Sequence, residues 1–146
     1  DAEKNTTWQE RSAEIDQDAH RILAGAIPYV RVIPVQMTET WLFHNEQAIR
    51  EAAENPNGRS RIAFPAISRL ENLPDAKMHL LGILREASGL SGRRLKRFEA
   101  HERRRLHRLA DLQQEQGFAI LRNLPAFQEL EKEIVALITA WSTTPA

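Results

Sequence analysis

The sequence lacks cysteine, long apolar runs and an excess of either charge. Without cysteine the chain has no disulfide bond, no cysteine-based zinc site and no cysteine nucleophile. No apolar run approaches the roughly 20 residues that a membrane-spanning helix needs. The 20 Lys and Arg residues balance the 20 Asp and Glu residues, so the net charge of +0 does not indicate a partner. These absences predict a protein of the reducing cytoplasm with no membrane span.

The chain has 146 residues, of which 42% are hydrophobic and 27% charged, as in an ordinary globular domain. That length suffices for a hydrophobic core, so we expect residues 1–146 to form a single domain. The sequence begins at Asp1 rather than at a methionine, and no signal-like apolar segment follows. We interpret this start as a cut end.

Apolar residues recur at helical spacing along most of the chain. Gly25 and the turn Asn55–Gly58 separate periodic segments. Thr38 is the predicted cap of the second helix, and Pro74 and Pro125 are predicted first helical residues. The pattern predicts helices over residues 7–24, 39–54, 74–87 and 93–114 and from 125 onward, a loop over 59–73, and a strand or packed connector over 117–124.

One segment departs from this helical pattern. The β-branched residues Val30, Val32 and Val35 predict a strand over 29–36 that passes directly into the helix beginning near Glu39. In open α/β folds, ligands and catalytic groups gather at the carboxyl ends of strands. Glu39 therefore stands where an acidic residue either caps a helix or holds a metal ion.

The strongest charge feature is RRLKRFEAHERRRLHR, residues 93–108. A basic helix of this kind contacts nucleic-acid phosphates or is simply a solvated face. His101 and Glu102 interrupt its apolar stripe, which predicts a bend near the middle. The residues expected to face the core are Leu95, Phe98, Leu106 and Leu109. The candidate nucleic-acid contacts, expected to lie mostly in water, are Arg93, Arg94, Lys96, Arg97, Arg103, Arg104 and Arg105.

Familiar catalytic motifs are missing from the sequence. His101, Glu102 and His107 have the spacing H-E-x-x-x-x-H, so the two imidazoles diverge on a helix and do not share a zinc ion as in H-E-x-x-H. There is no G-x-S-x-G nucleophile elbow and no glycine-rich loop for phosphates. Residue chemistry alone therefore identifies no enzyme class.

Several segments in order resemble a bacterial Toprim-like family related to the OLD-type nucleases and the RloB proteins. The resemblance spans nearly the whole chain. The segments that carry it are VQMTETWL (35–42), AIREAAENPNG (48–58), LENLPDAK (70–77), ASGLSGRR (87–94) and LRNLPAF (121–127).

The resemblance implies an α/β fold, of which this chain would be the helix-rich remainder without its first strand or strands. It also implies a magnesium site for phosphoryl-transfer chemistry, with Asp1, Glu3 and Glu39 as metal ligands. Glu39 and Lys77 would be the catalytic residues, the lysine stabilising developing charge on phosphate. The family's leading glutamate would precede Asp1, so we expect this fragment alone to be inactive.

Two functions from different classes remain open. The resemblance implies a magnesium-dependent nuclease, or a nuclease-derived nucleic-acid-binding protein, that acts in bacterial phage defence beside an ATPase partner. The alternative is a non-catalytic helical interaction module, in which the acidic residues cap helices and the basic helix meets an acidic protein. Neither the type of nucleic acid nor the oligomeric state follows from the sequence.

Overall fold

The computed structural model describes residues 8–23, 27–35 and 38–143. Helices dominate the first and third of these segments, whereas residues 27–35 contain no helix. Three short 3₁₀ helices cover Thr38–Leu42, Ile67–Asn72 and Ala119–Asn123. No helix within these ranges has both the length and the apolar character needed to cross a membrane. The α-helices are α1 (Trp8–Leu23), α2 (Glu46–Ala52), α3 (Ala76–Ser88), α4 (Gly92–Glu99), α5 (Glu102–Gln116) and α6 (Pro125–Thr143).

The predicted α/β fold is wrong, because the described ranges contain no β-strand and no sheet. Residues 28–34, which cover most of the predicted strand, form no regular secondary structure. Pro28 and Pro34 have no N–H to donate to a neighbouring strand. The N–H of Arg31 donates instead to a carboxylate oxygen of Glu133 at 2.9 Å. Gln36, at the predicted end of the strand, lies outside the described residues.

The predicted helix over 39–54 is divided, and the cap of its α-helical part is Asn45 rather than the predicted Thr38. Thr38–Leu42 forms a 3₁₀ helix, and α2 begins only after Asn45. The side chain of Asn45 accepts a hydrogen bond from the N–H of Ala48 at 3.0 Å, as a favourable N-cap does. The turn Asn55–Gly58 follows α2, as predicted.

The remaining helix boundaries partly match the predictions. The third helix begins at Ala76 rather than at Pro74, because Asp75 has the left-handed φ of 53°. The single helix predicted over 93–114 is divided into α4 and α5, and the break lies around His101, where the sequence predicted a bend. Residues 117–124 form a packed connector with a short 3₁₀ helix, so the strand alternative there is wrong.

The hydrophobic core lies between the short helices at the centre of the chain. All members of its buried cluster fall between Phe43 and Leu124, and α2, α3 and α5 contribute most of them. Gln113 is fully buried and donates to the carbonyl of Leu42 at 3.1 Å, which ties α5 to the first 3₁₀ helix. The largest fully buried apolar side chains are Ile49, Leu70, Leu80, Leu84, Leu109, Leu121 and Leu124.

The turn after α2 fixes the end of α3. Asn55 donates from its side chain to the carbonyl of Ala87 at 2.9 Å, which satisfies a carbonyl that the helix leaves free. Gly58 lies against this contact, and a Cβ there would stand 2.5 Å from Nδ2 of Asn55. The turn and the far end of α3 therefore hold each other in place.

The first and last helices lie outside this core. Helix α6 begins at Pro125, as predicted, and Phe127 packs edge-on against Trp41 with ring centroids 5.5 Å apart. Several apolar side chains further along α6 are largely exposed. Ile138 is 55% exposed and Trp141 is 68% exposed.

Candidate nucleic-acid interface

The structure brings Glu39 and Lys77 to one pocket. Glu39 lies in the first 3₁₀ helix and Lys77 in the first turn of α3. The ammonium Nζ of Lys77 stands 4.0 Å from a carboxylate oxygen of Glu39. This separation is the outer limit of an ion pair, so the ammonium keeps donors for another anion. The lysine side chain is half exposed, whereas the glutamate is mostly buried.

Helix α5 supplies the opposite wall of this pocket. Arg103 and His107 line it one helical turn apart, together with Leu106 between them. The cavity has a volume of about 240 Å³. Two full positive charges, from Lys77 and Arg103, therefore stand around one carboxylate. We call this cavity the Lys77 pocket; its lining is Thr38, Glu39, Leu42, Lys77, Arg103, Leu106, His107 and Ala110.

The described part of the Lys77 pocket does not fit a magnesium ion by itself. Mg²⁺ prefers several oxygen ligands, usually including one or two carboxylates, in near-octahedral geometry. Glu39 is the only carboxylate among the described residues of the lining, and Lys77 and Arg103 line the same cavity. Within the described residues, no three His, Asp or Glu side chains form a group suited to a metal. The other predicted ligands, Asp1 and Glu3, lie outside those residues.

A second feature is the basic surface of α4 and α5. The two carboxylates of the segment 92–108 belong to Glu99 and Glu102, and both are bound by Arg85 of α3. In the part of the chain that the structure describes, no carboxylate lies within ion-pair distance of the remaining exposed cations. We define the basic surface as Arg93, Arg94, Lys96, Arg97, Arg103 and Arg104, all of which are exposed.

Arg105 departs from the prediction that it faces water. Its side chain is only 11% exposed, and it pairs with Glu54 at 2.9 Å. Its guanidinium also lies 3.8 Å above the ring of Phe98, a cation–π contact. Arg105 therefore joins α5 to α4 and to the end of α2. The apolar residues of the segment agree with the prediction, since Phe98 and Leu109 are buried and Leu95 and Leu106 pack against the core.

A third cluster joins the outer helices and was not predicted. Arg31 reaches Glu133 of α6 at 2.5 Å and Asp16 of α1 at 3.0 Å. The hydroxyl of Tyr29 donates to the same Asp16 at 2.7 Å. Hydrogen bonding to Glu133 raises the pKa of Arg31, and hydrogen bonding to Asp16 raises the pKa of Tyr29. These groups satisfy one another, so we interpret the cluster as a structural clamp.

Sequence reasoning also missed that Arg103 and His107 complete the Lys77 pocket. Their i,i+4 spacing was a usable signal, because it places both side chains on one helix face. No local sequence pattern showed that this face of α5 lies against Glu39 and Lys77.

Comparisons of the chain with models of known protein families, with curated proteins and with solved structures found no match. The family resemblance drawn from the five sequence segments therefore stays a prediction, as do the catalytic roles of Glu39 and Lys77.

Proposed function

We propose that this protein binds nucleic acid through the phosphate backbone, with the basic surface of α4 and α5 as its contact face. The observation that carries the proposal is that, among the described residues, no carboxylate pairs with the cations of the basic surface. Arg85 engages the two carboxylates nearest to the surface, Glu99 and Glu102. The exposed arginines and lysine are left to interact with an external anion.

The arrangement of these cations suits a polyanion better than a small ligand. They extend over two consecutive helices, and Arg103 is the member that lines the Lys77 pocket. Arginine donates to phosphate through a planar fork, which gives strong charge-assisted hydrogen bonds. No exposed aromatic residue accompanies them in the segment 92–108, since Phe98 is buried. Backbone contact is therefore favoured over stacking on bases.

The proposal is tested with the variant R93Q/R94Q/R97Q and a duplex of mixed sequence. Each phosphate contact contributes about 0.9 to the slope of log affinity against log salt. We expect the variant to bind more weakly and to show a slope shallower by roughly 2–3. The matched control is R11Q/R21Q/K132Q, which removes three exposed cations that each pair within their own helix. An equal loss in the control, or no loss in the variant, would contradict the proposal.

The proposal concerns binding and leaves cleavage aside, because Glu39 is the single carboxylate that the described residues bring to the pocket. A magnesium-dependent nuclease needs further carboxylates to hold the ion.

The second candidate is a protein-interaction module. The observation in its favour is the exposed apolar face of α6, which includes Val135, Ile138 and Trp141. A module of this kind would also bind an acidic protein through the basic helices. Titration of the labelled duplex with polyglutamate separates the two candidates. Displacement of the duplex at equal or lower charge concentration would favour an acidic protein partner.

A further inference from the structure

We propose that the Lys77 pocket receives a terminal phosphate of the bound nucleic-acid strand. The inference rests on the proposed function and makes it more specific, since it assigns a chemical group to a defined cavity. Arg103 links the two features because it belongs to both the pocket and the basic surface. A strand that follows the basic surface therefore reaches the mouth of the pocket at this residue.

The charges in the pocket favour a terminal phosphate over an internal one. A phosphate monoester carries about −1.5 to −2 charges at pH 7, whereas a backbone diester carries a single charge. Lys77 and Arg103 supply two positive charges, and Glu39 supplies one negative charge. The local excess is positive, and the guanidinium fork and the ammonium together present several donors to a trigonal set of oxygens.

Glu39 has a defined part in this arrangement. Its carboxylate is mostly buried and lies 4.0 Å from the ammonium of Lys77. At that distance it orients the lysine across the pocket without taking up all of its donors. It also lowers the net positive charge of the pocket. Removal of its charge should therefore strengthen anion binding, and more for the doubly charged monoester than for the singly charged diester.

The size of the pocket supports a single anionic group. Its volume of about 240 Å³ is below the roughly 300–1,000 Å³ of pockets for drug-sized ligands. The apolar part of the lining, Leu42, Leu106 and Ala110, gives apolar surface against which a sugar edge can pack. A whole nucleotide with its base would extend beyond this space.

The experiment compares a duplex that carries terminal phosphates with the same duplex ending in hydroxyl groups. We expect the protein to bind the phosphorylated duplex about tenfold more tightly, the effect of one charge-assisted hydrogen bond or slightly less. The substitutions Lys77→Gln and Arg103→Gln should each abolish this preference. The matched control is Arg104→Gln, which removes an exposed positive charge next to Arg103 but outside the pocket lining. It should lower the affinity for both duplexes and leave the ratio of the two affinities unchanged.

The outcomes separate this proposal from the one on which it rests. Equal affinity for the two duplexes, or a preference that survives both pocket substitutions, would overturn the pocket while leaving backbone binding intact. If neither duplex binds, the proposed function fails, and inorganic phosphate then tests the pocket by shifts in the side-chain NMR signals of Lys77 and Arg103. The absence of those shifts would overturn the pocket as well. Far-ultraviolet circular dichroism of each variant verifies that it is folded.

Discussion

Different interactions stabilise two parts of the molecule: the region from residue 38 to residue 124, and the outer helices. We call the first region the body; the outer helices are α1 and α6, joined through residues 27–35. The body surrounds one buried apolar cluster drawn from α2, α3, α4, α5 and the 3₁₀ helices. Among the described side chains, α1 and α6 contribute no buried member to that cluster, although Phe127 of α6 packs against it. The two helices meet through the charged clamp around Arg31.

This difference has consequences for stability and for function. Burial of apolar side chains provides most of the free energy of folding, whereas partly exposed ion pairs provide little. The body should therefore unfold as the main cooperative unit, and α1 should open at lower cost. Both candidate features for nucleic-acid binding, the Lys77 pocket and the basic surface, lie on the body. A rigid support of this kind holds their charges in a fixed arrangement.

The largest expected effect distinguishes an apolar side chain in the body from one on α6. We expect Leu84→Ala to lower the free energy of unfolding by about 2–5 kcal/mol, because Leu84 is almost completely buried. Ile138→Ala removes the same number of carbon atoms from a side chain that is 55% exposed, and should cost about 0.5 kcal/mol or less. Urea unfolding measures both variants. Similar losses would show that the face of α6 is covered in solution.

A smaller effect is expected at the clamp. Arg31→Met keeps a flexible unbranched side chain but removes the guanidinium that pairs with Asp16 and Glu133. Because these groups are partly exposed, we expect a loss of about 1 kcal/mol in local stability rather than global unfolding. Hydrogen exchange should show faster exchange at the amides of α1 and unchanged exchange in α3. The control is Arg21→Met, because Arg21 is exposed and pairs with Asp18 on the same helix. In this variant the amides of α1 should exchange as in the unmodified chain.

The smallest expected effect depends on pH and concerns Tyr29, the one tyrosine of the chain. Its hydrogen bond to Asp16 raises its pKa above the ordinary value of 10.0. Because folding raises this pKa, the contact contributes its full stabilisation of the folded state below pH 10. That contribution is lost as the pH rises through the pKa of Tyr29 in the folded chain. Phenolate absorbance should therefore titrate above 10 in the folded chain and near 10 in urea. Asp16→Asn should move the folded value back toward 10.0, and an unchanged value would show that Asp16 is not the cause.

Much of the local structure was predictable because its signals lie within a few residues. Pro125 begins α6 since its missing N–H is unpaired at a first helical position in any case. The turn at Asn55–Gly58 ends the second helical segment, as its residues indicated. The bend at His101 followed from the interruption of the apolar stripe.

The errors arose where a local pattern needed a distant partner. A strand over 29–36 required a neighbouring strand to receive its hydrogen bonds, and the described residues provide none. Pro74 was a reasonable first helical residue, but the left-handed backbone of Asp75 delays the start of α3. The exposure expected for Arg105 failed because Glu54 and Phe98, from other parts of the fold, surround its guanidinium.

The sequence by itself determined where most helices lie and that positive charge concentrates in residues 93–108, because helical periodicity and composition are local properties. The tertiary structure alone decided which of those charges remain available. Arg85 is distant in sequence from Glu99 and Glu102, yet the packing of α3 on α4 lets it engage both. The same packing of separate elements brings Glu39 and Lys77 to Arg103. Contacts between residues this far apart in sequence depend on which apolar faces pack together, and no short segment specifies that packing.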